Sequence, residues 1–396
     1  MSKSIEQKLK GHLSAHDFDI RKSGNARFID QKCTPDVVCA VAEVILEFVD
    51  EDKAKKFTVK SIWKSLRANE IMVDLFQKPA VTEPKAQSEY DKVFSQPIKL
   101  LEYAGILKSA GKVGNANAYK IRKRKLLNYI SVKDKNALVF LVAYLEKVLI
   151  DSELMPIFNI FFSKPTKANF RALKMEYVDF IIENTAINGK TETRRIFTKI
   201  INPLAFSRKT YGAKKGTISP HPISYSELFY NRVNFRDVKK PKGVTRKQFW
   251  ENFVETSSSD QYLIEKAKRQ IKKRHGTQSE VHRYGLVAAV HVHHIFMKSE
   301  FPELSDVFEN LILLTPSQHG TFAHPDGNTQ VISKSYQLVC LLSKLESIEQ
   351  SVAEEDGFYE LDEFKDAVNI GLDEQLLTKQ MTFEDIKHIL SEKYLS

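Results

Sequence analysis

Between Tyr284 and Gln330 the chain reads YGLVAAVHVHHIFMKSEFPELSDVFENLILLTPSQHGTFAHPDGNTQ, and this span holds five of its eleven histidines. The surrounding pattern is strand, loop, strand, helix. Leu286 to Ile295 alternates well enough for a strand, with β-branched residues and no proline, and His291, Val292, His293 and His294 lie at its far end. A polar loop leads to Asn310 and the apolar run Leu311 to Leu314, which suits a second strand. Thr315-Pro316 is a helix start, a hydroxyl cap followed by proline at the first helical position. His319 then falls in the first turns of that helix and His324 near its end.

At these residues the chain resembles the HNH, or ββα-metal, nuclease family. The likeness covers about 45 residues: His293-His294-Ile295, then Asn310-Leu311 closing the loop, then His319 and His324. It implies that His294 is the general base, that Asn310 holds the loop in shape, and that His293 and His319, with His324 as a third ligand, bind one divalent metal. The His-His pair with two helix histidines is most similar to the colicin-type branch.

The chemistry asks for such residues. Phosphodiester hydrolysis needs a deprotonated water, charge neutralisation at phosphorus and help for the departing 3′ oxygen. A neutral imidazole can take the proton, and a single divalent ion can act as the Lewis acid. Three physical conditions come with the resemblance. On an ideal strand His293 and His294 face opposite ways, so the strand must end or twist there. His319 and His324 are five apart, ~140° around an ideal α-helix, so His324 is a ligand only if the helix has ended or bent; Asp326 and Asn328 are the substitutes. Mg²⁺ or Mn²⁺ is the expected ion, but imidazole ligands also suit Zn²⁺, Ni²⁺ or Co²⁺, whereas Mg²⁺ prefers oxygen. A lone histidine on an apolar strand is ordinarily a satisfied core residue, and a histidine cluster can be a purely structural zinc site. His291, two residues from His293, fits either part.

At 396 residues the chain is long enough for two or three domains. The formal charge is +10, pointing to an acidic polymer as partner. The charge is uneven: Lys190 to His275 holds 21 Lys/Arg against 7 Asp/Glu, and Ser335 to Ser396 holds 5 against 14. Cys33, Cys39 and Cys340 form no CxxC pair and no disulfide framework, and Met1 to Lys10 lacks a signal-peptide apolar run. A cytoplasmic protein with no membrane partner is expected.

The first 33 residues read as a polar, loosely held arm or a short helix. From Thr34-Pro35-Asp36, Val37, Val41, Val44, Ile45 and Phe48 recur at helical spacing; Thr58 opens a second helix, and Ser88 to Ala104 forms a third with Pro97 as a possible kink. Ile106 to Lys108 and Ala118 to Ile121 read as two strands around a turn, Ser109 to Asn117. Three helices followed by a hairpin resemble a winged helix-turn-helix over residues 34–130. That resemblance implies a third helix in the major groove and a hairpin against the DNA backbone. Tyr90, Lys92, Ser95, Gln96 and Lys99 are candidate readers on the helix; Lys112, Asn115 and Lys120 on the hairpin, with Arg122 and Arg124 behind it, are candidate phosphate contacts.

Residues 131–189 form a helical connecting layer whose aromatics, Phe158, Phe161, Phe162, Phe170, Tyr177 and Phe180, are at helical spacing and so are assigned to core. Residues 190–280 are basic and interleaved with Asn, Ser, Tyr and Gly, a mixture suited to phosphates and base edges. Arg194, Arg195, Arg208, Lys209, Lys214, Lys215, Arg232 and Arg236 are the contact candidates there. The nuclease module spans 281–332, and 333–396 is an acidic helical segment expected to pack against the basic centre, shield it or support dimerisation.

The expected fold is therefore α+β and mostly helical, with a winged helix, a helical and basic middle, a ββα-metal module and a helical end. The combination resembles a type II restriction endonuclease: cleavage of double-stranded DNA, at or outside the recognised sequence, giving 5′-phosphate ends, with a homodimer as one way to cut both strands. Two other readings remain open, a nuclease or toxin acting on DNA or RNA without sequence choice, and a DNA-binding regulator with an inert remnant of the site.

Overall fold

Apolar residues at helical spacing dominate the chain, and in the computed structural model most of it is helical, with three small antiparallel sheets. Residues 4–51, 56–76, 78–83, 86–230, 258–281, 286–324 and 332–395 are described. The chain divides into two compact units, Ile5–Asp237 and Val238–Ser396, the latter with Met1–Ser4. The boundary falls inside the basic stretch 190–280, so that stretch does not form one domain. None of the described helices is long and apolar enough to cross a membrane.

The first unit opens with α1 (Ile5–Ser14) and the short α2 (Ile20–Ser23). The short-helix alternative describes this segment and the loosely held arm does not: Leu9, Leu13, Phe18, Ile20 and Phe28 are buried. Tyr144 is buried beside them and donates to the Phe28 carbonyl at 2.7 Å, so the segment is stitched to the core.

Next come α3 (Pro35–Glu51), β1 (Phe57–Thr58), α4 (Val59–Trp63), α5 (Leu66–Glu70) with a π-helical turn to Leu75, α6 (Gln87–Tyr103), β2 (Leu107–Val113) and β3 (Ala116–Ile121). Thr58 and Ser61 cap α4 reciprocally, each side chain meeting the other's backbone N–H. Pro97 is buried within a continuous α6. The sheet order is β1-β3-β2, with Phe57 opposite Tyr119. The two-residue β1 was too short to show in the hydrophobic pattern. The hairpin is longer than its apolar residues suggested because the exposed Ser109 and Lys112 also pair, across a bulge between them. Its turn is only Gly114-Asn115, with Gly114 left-handed (φ 58°) at the first central position.

Helices α7 (Arg124–Val132), α8 (Asp134–Asp151), α9 (Met155–Ser163), α10 (Lys167–Asn184) and α11 (Lys190–Ser207) follow, then the hairpin β4 (Tyr211–Lys214) and β5 (Thr217–Pro222). Phe158, Phe161, Phe170 and Tyr177 are buried against one another and Phe197, while Phe162 and Phe180 are half-buried. These rings are occupied in packing, as their spacing suggested.

The second unit contains α12 (Ser258–His275), β6 (His291–His294), β7 (Leu311–Leu314), a π-helical turn (Gln318–Ala323), α13 (Lys334–Glu354), α14 (Leu361–Gly371) and α15 (Phe383–Leu395). The first strand is much shorter than Leu286–Ile295: Leu286, Val287 and Val290 are exposed and outside the ladder. The acidic end packs on this unit through specific polar anchors. Lys344, fully buried, meets Glu280 at 2.6 Å and the Tyr359 hydroxyl at 2.9 Å. Glu280 also accepts from the Leu313 N–H at 2.9 Å, tying α13 to β7. On α12, Arg274 pairs with Glu354 and Asp356.

Candidate metal centre and nucleic-acid surface

β6 and β7 pair antiparallel with His291 opposite Leu314 and His293 opposite Ile312. Strand alternation then applies: His293 faces inward and is 4% exposed, while His294 points to the other face. Thr315 and Gln318 form a reciprocal cap, the Thr315 N–H on the Gln318 side chain at 2.9 Å and the Gln318 N–H on the Thr315 hydroxyl at 3.3 Å. This cap starts the turn that carries His319.

The turn is π-helical from Gln318 to Ala323, and His324 follows in extended conformation (φ −117°, ψ 95°). Here lies the answer to the five-residue spacing. A π turn closes i to i+5, so residues an α-helix would splay apart are brought to one side. The ring centroids of His293, His319 and His324 lie 5.4, 5.0 and 4.9 Å from one another. One nitrogen from each lies within 4.8 Å of the others. Ligands about 2.0–2.1 Å from a tetrahedral zinc sit ~3.4 Å apart, so the set closes around an ion with shifts of at most about 1.4 Å in any separation. The substitutes Asp326 and Asn328 lie outside the described residues.

Burial and crowding hold two of these rings in the unprotonated form. Burial, and then the charges of His324, His319 and His294, push His293 down to about 3. His319 is lowered by burial, His324 and His291. His293 and His319, held neutral chiefly by burial and then by the neighbouring rings, present lone pairs, the form that ligates a metal. The donor set therefore fits a divalent transition ion. His291 is exposed and stacks on His319, centroids 4.9 Å apart, without belonging to the converging trio.

His294 is not part of the trio either. Its Nε2 donates to the Ser305 carbonyl at 3.1 Å, which leaves Nδ1 as the free acceptor. Burial is the main reason it is pushed down to about 4; the Ser305 bond opposes this, and Lys268 and Lys298 add to it. Asn310 spans the intervening loop: its side chain accepts from the Phe296 N–H (2.8 Å) and donates to the carbonyls of Phe296 (3.1 Å) and Leu304 (3.0 Å). Lys268 belongs to the basic helical face Lys266 to Arg274 that leads into this module, and its place in the stripe Gln261, Glu265, Lys268 gains meaning only with a known packing partner; Lys298 has no such signal in the residues.

The candidate DNA contacts fare less evenly. Tyr90 is corrected: it is fully buried, its hydroxyl against Asn69 and the Pro79 carbonyl, because it lies on the core stripe of α6 with Val93, Phe94 and Leu101. Gln96 is half-buried and accepts from the Lys32 N–H at 2.7 Å. Lys92 and Lys99 are exposed and Ser95 is half-buried between them, on the outer face of α6. Lys112, Asn115 and Lys120 are exposed on the hairpin and Arg122 beyond it; Arg124 is exposed but paired with Asp50. Arg194, Arg195, Lys209 and Lys215 are exposed, whereas Arg208 pairs with Glu146 and Lys214 with Glu227. Arg232 and Arg236 lie outside the described residues.

No protein-family model, curated protein or solved structure matches the chain.

Proposed function

We propose that this protein is a metal-dependent endonuclease of the HNH type that cuts double-stranded DNA in the manner of a type II restriction enzyme. The observation that carries the reading is the convergence of His293, His319 and His324, with His294 next along the strand and fixed by Ser305. Three protein ligands, rather than the four of a structural zinc, leave positions open for substrate. That count, made among the described residues, favours chemistry over a purely structural ion.

His293, His319 and His324 would hold the ion, which when bound supplies Lewis-acid stabilisation of charge at phosphorus and on the departing oxygen. The chain's own residues do the rest. The Nε2–H···Ser305 bond fixes the tautomer of His294, so Nδ1 takes a proton from the attacking water. An anionic phosphodiester beside this ring raises its pKa toward the working range. The water oxygen bonds to phosphorus, the bond to the 3′ oxygen breaks, and the leaving oxygen gains a proton, giving 5′-phosphate and 3′-hydroxyl ends. Asn310 keeps the loop that carries Ser305 in register with the strand.

In the other unit, the order α3, β1, α4–α5, α6 and the β2–β3 hairpin, with β1 on the far side of β3, supports a winged-helix reading. The outer face of α6 (Lys92, Ser95, Lys99) then enters the groove, and Lys112, Asn115 and Lys120 lie along the backbone. The test is digestion of a plasmid of known sequence with Mg²⁺, Mn²⁺, Co²⁺, Ni²⁺ or Zn²⁺, followed by sequencing of the ends. Discrete bands with 5′-phosphates are expected. A smear would replace sequence choice with general nuclease activity, and intact DNA with every ion would reduce the site to a remnant.

A further inference from the structure

The β4–β5 hairpin ends in a two-residue turn, Lys215-Gly216, with both residues left-handed (φ 49° and 81°). It is braced from within. Asn202, inside α11, donates to the Ala213 carbonyl at 3.0 Å and accepts from the Ala213 N–H at 2.7 Å, and the Ser219 hydroxyl accepts from the Gly212 N–H at 3.0 Å. From α10, Lys174 Nζ reaches the Gly216 carbonyl at 2.7 Å. Arg194, exposed on α11, is close enough to lower the Lys174 pKa, second only to burial. Among the described residues no carboxylate acts on Lys174 in compensation. Lys215 projects into solvent, and among the described residues neither it nor Arg194 makes an ion pair.

Lys174 and Lys215 thus meet at one braced turn, with Arg194 on α11 acting on Lys174 through its charge, and among the described residues none of the three makes an ion pair. Lys214, one residue away, differs in being paired with Glu227. Such an arrangement repels itself and is relieved by an anion. Flexible cationic side chains around a small turn suit a sequence-independent grip on phosphate rather than base reading.

We propose that Lys174, Arg194 and the Lys215-Gly216 turn form a second phosphate-backbone anchor for double-stranded DNA, distinct from α6 and the β2–β3 hairpin. It rests on the reading that duplex DNA is the substrate, and it would lengthen the footprint while leaving the recognised sequence unchanged.

The test is binding of the full chain to a fluorescent duplex several helical turns long, in EDTA so that cleavage does not intervene, across a salt series. Lys215→Asn, which keeps a residue tolerant of left-handed backbone, and Arg194→Gln should each lower the slope of log K against log salt by about 1, and the double variant by about 2. Lys174→Arg should keep the wild-type slope and Lys174→Gln should not; thermal unfolding of Lys215→Asn should match wild type. Wild-type slopes in the Lys215 and Arg194 variants would overturn the anchor alone. Failure of the wild-type chain to bind duplex would overturn it together with the duplex reading. Tighter binding to duplex RNA of the same sequence would overturn DNA as the occupant.

Discussion

The metal centre and the outer face of α6 are both candidate functional surfaces, and they are built on opposite principles. At the centre, buried or half-buried rings come from a strand, a π turn and the residue after it, and their nitrogens meet within 4.8 Å. On α6, Lys92 and Lys99 stand apart on a solvent-exposed face. The lesson is about what holds a side chain in place. A ring enclosed by packing has one position; an exposed lysine has many, and only a bound partner selects among them.

The largest effect that separates the two regions is loss of the ion. His293→Ala should abolish cleavage and cost far more than about a hundredfold in metal affinity, since even outer partners of a ligand cost ~10–100-fold. Duplex binding in EDTA should stay within a few fold of wild type. Gel assays alongside calorimetry check both, and equal loss of DNA binding would merge the two regions into one.

Next, His294→Ala should cut the single-turnover rate by about 10²–10⁴, with metal and DNA affinity nearly unchanged. Cleavage at the wild-type rate in this variant would remove His294 as base.

A third, smaller effect concerns the scaffold of the centre. Burial pushes the Glu280 carboxyl up, but the charges of Lys344 and His275 and the bonds from Lys344 and Leu313 outweigh it, leaving a lowered pKa. A depressed folded pKa means stability that is complete above the unfolded value of about 4.3 and lost as pH falls below it. Acid unfolding of wild type should therefore show a loss beginning near that pH. Glu280→Gln should be less stable at neutral pH and should flatten the slope; an unchanged slope would show that the pair is not coupled to folding.

The smallest effects belong to α6. Lys99→Gln should weaken duplex binding a few fold and reduce the salt slope by about 1. Tyr90→Phe should leave the slope alone and cost only the stability of its hydroxyl contacts, about 1 kcal/mol. A larger binding defect in Tyr90→Phe than in Lys99→Gln would invert the contrast.

The same contrast explains what the residues told in advance. The histidines, Asn310 and the Thr315 cap were legible because each had a partner at a defined offset. The objection to His324 was legible too, but its resolution was not: a π turn leaves no mark in an apolar pattern read at 3.6 residues per turn. Tyr90 was misread for a related reason, since the helix was found correctly but its inward face was not. The order of helices and hairpin came through, whereas β1 is two residues long and enters the sheet only through its pairing with β3. The Glu280–Lys344 pair joins residues 64 apart, and a buried ion pair has no local signature.

The most direct measurement is metal titration of EDTA-stripped protein by calorimetry, with Zn²⁺ or Ni²⁺ as the probe. One ion per chain is expected, with binding lost or severely weakened by alanine at His293, His319 or His324 and retained at His291. No binding by wild type, or unchanged binding in the three single variants, would contradict a shared ion between these rings.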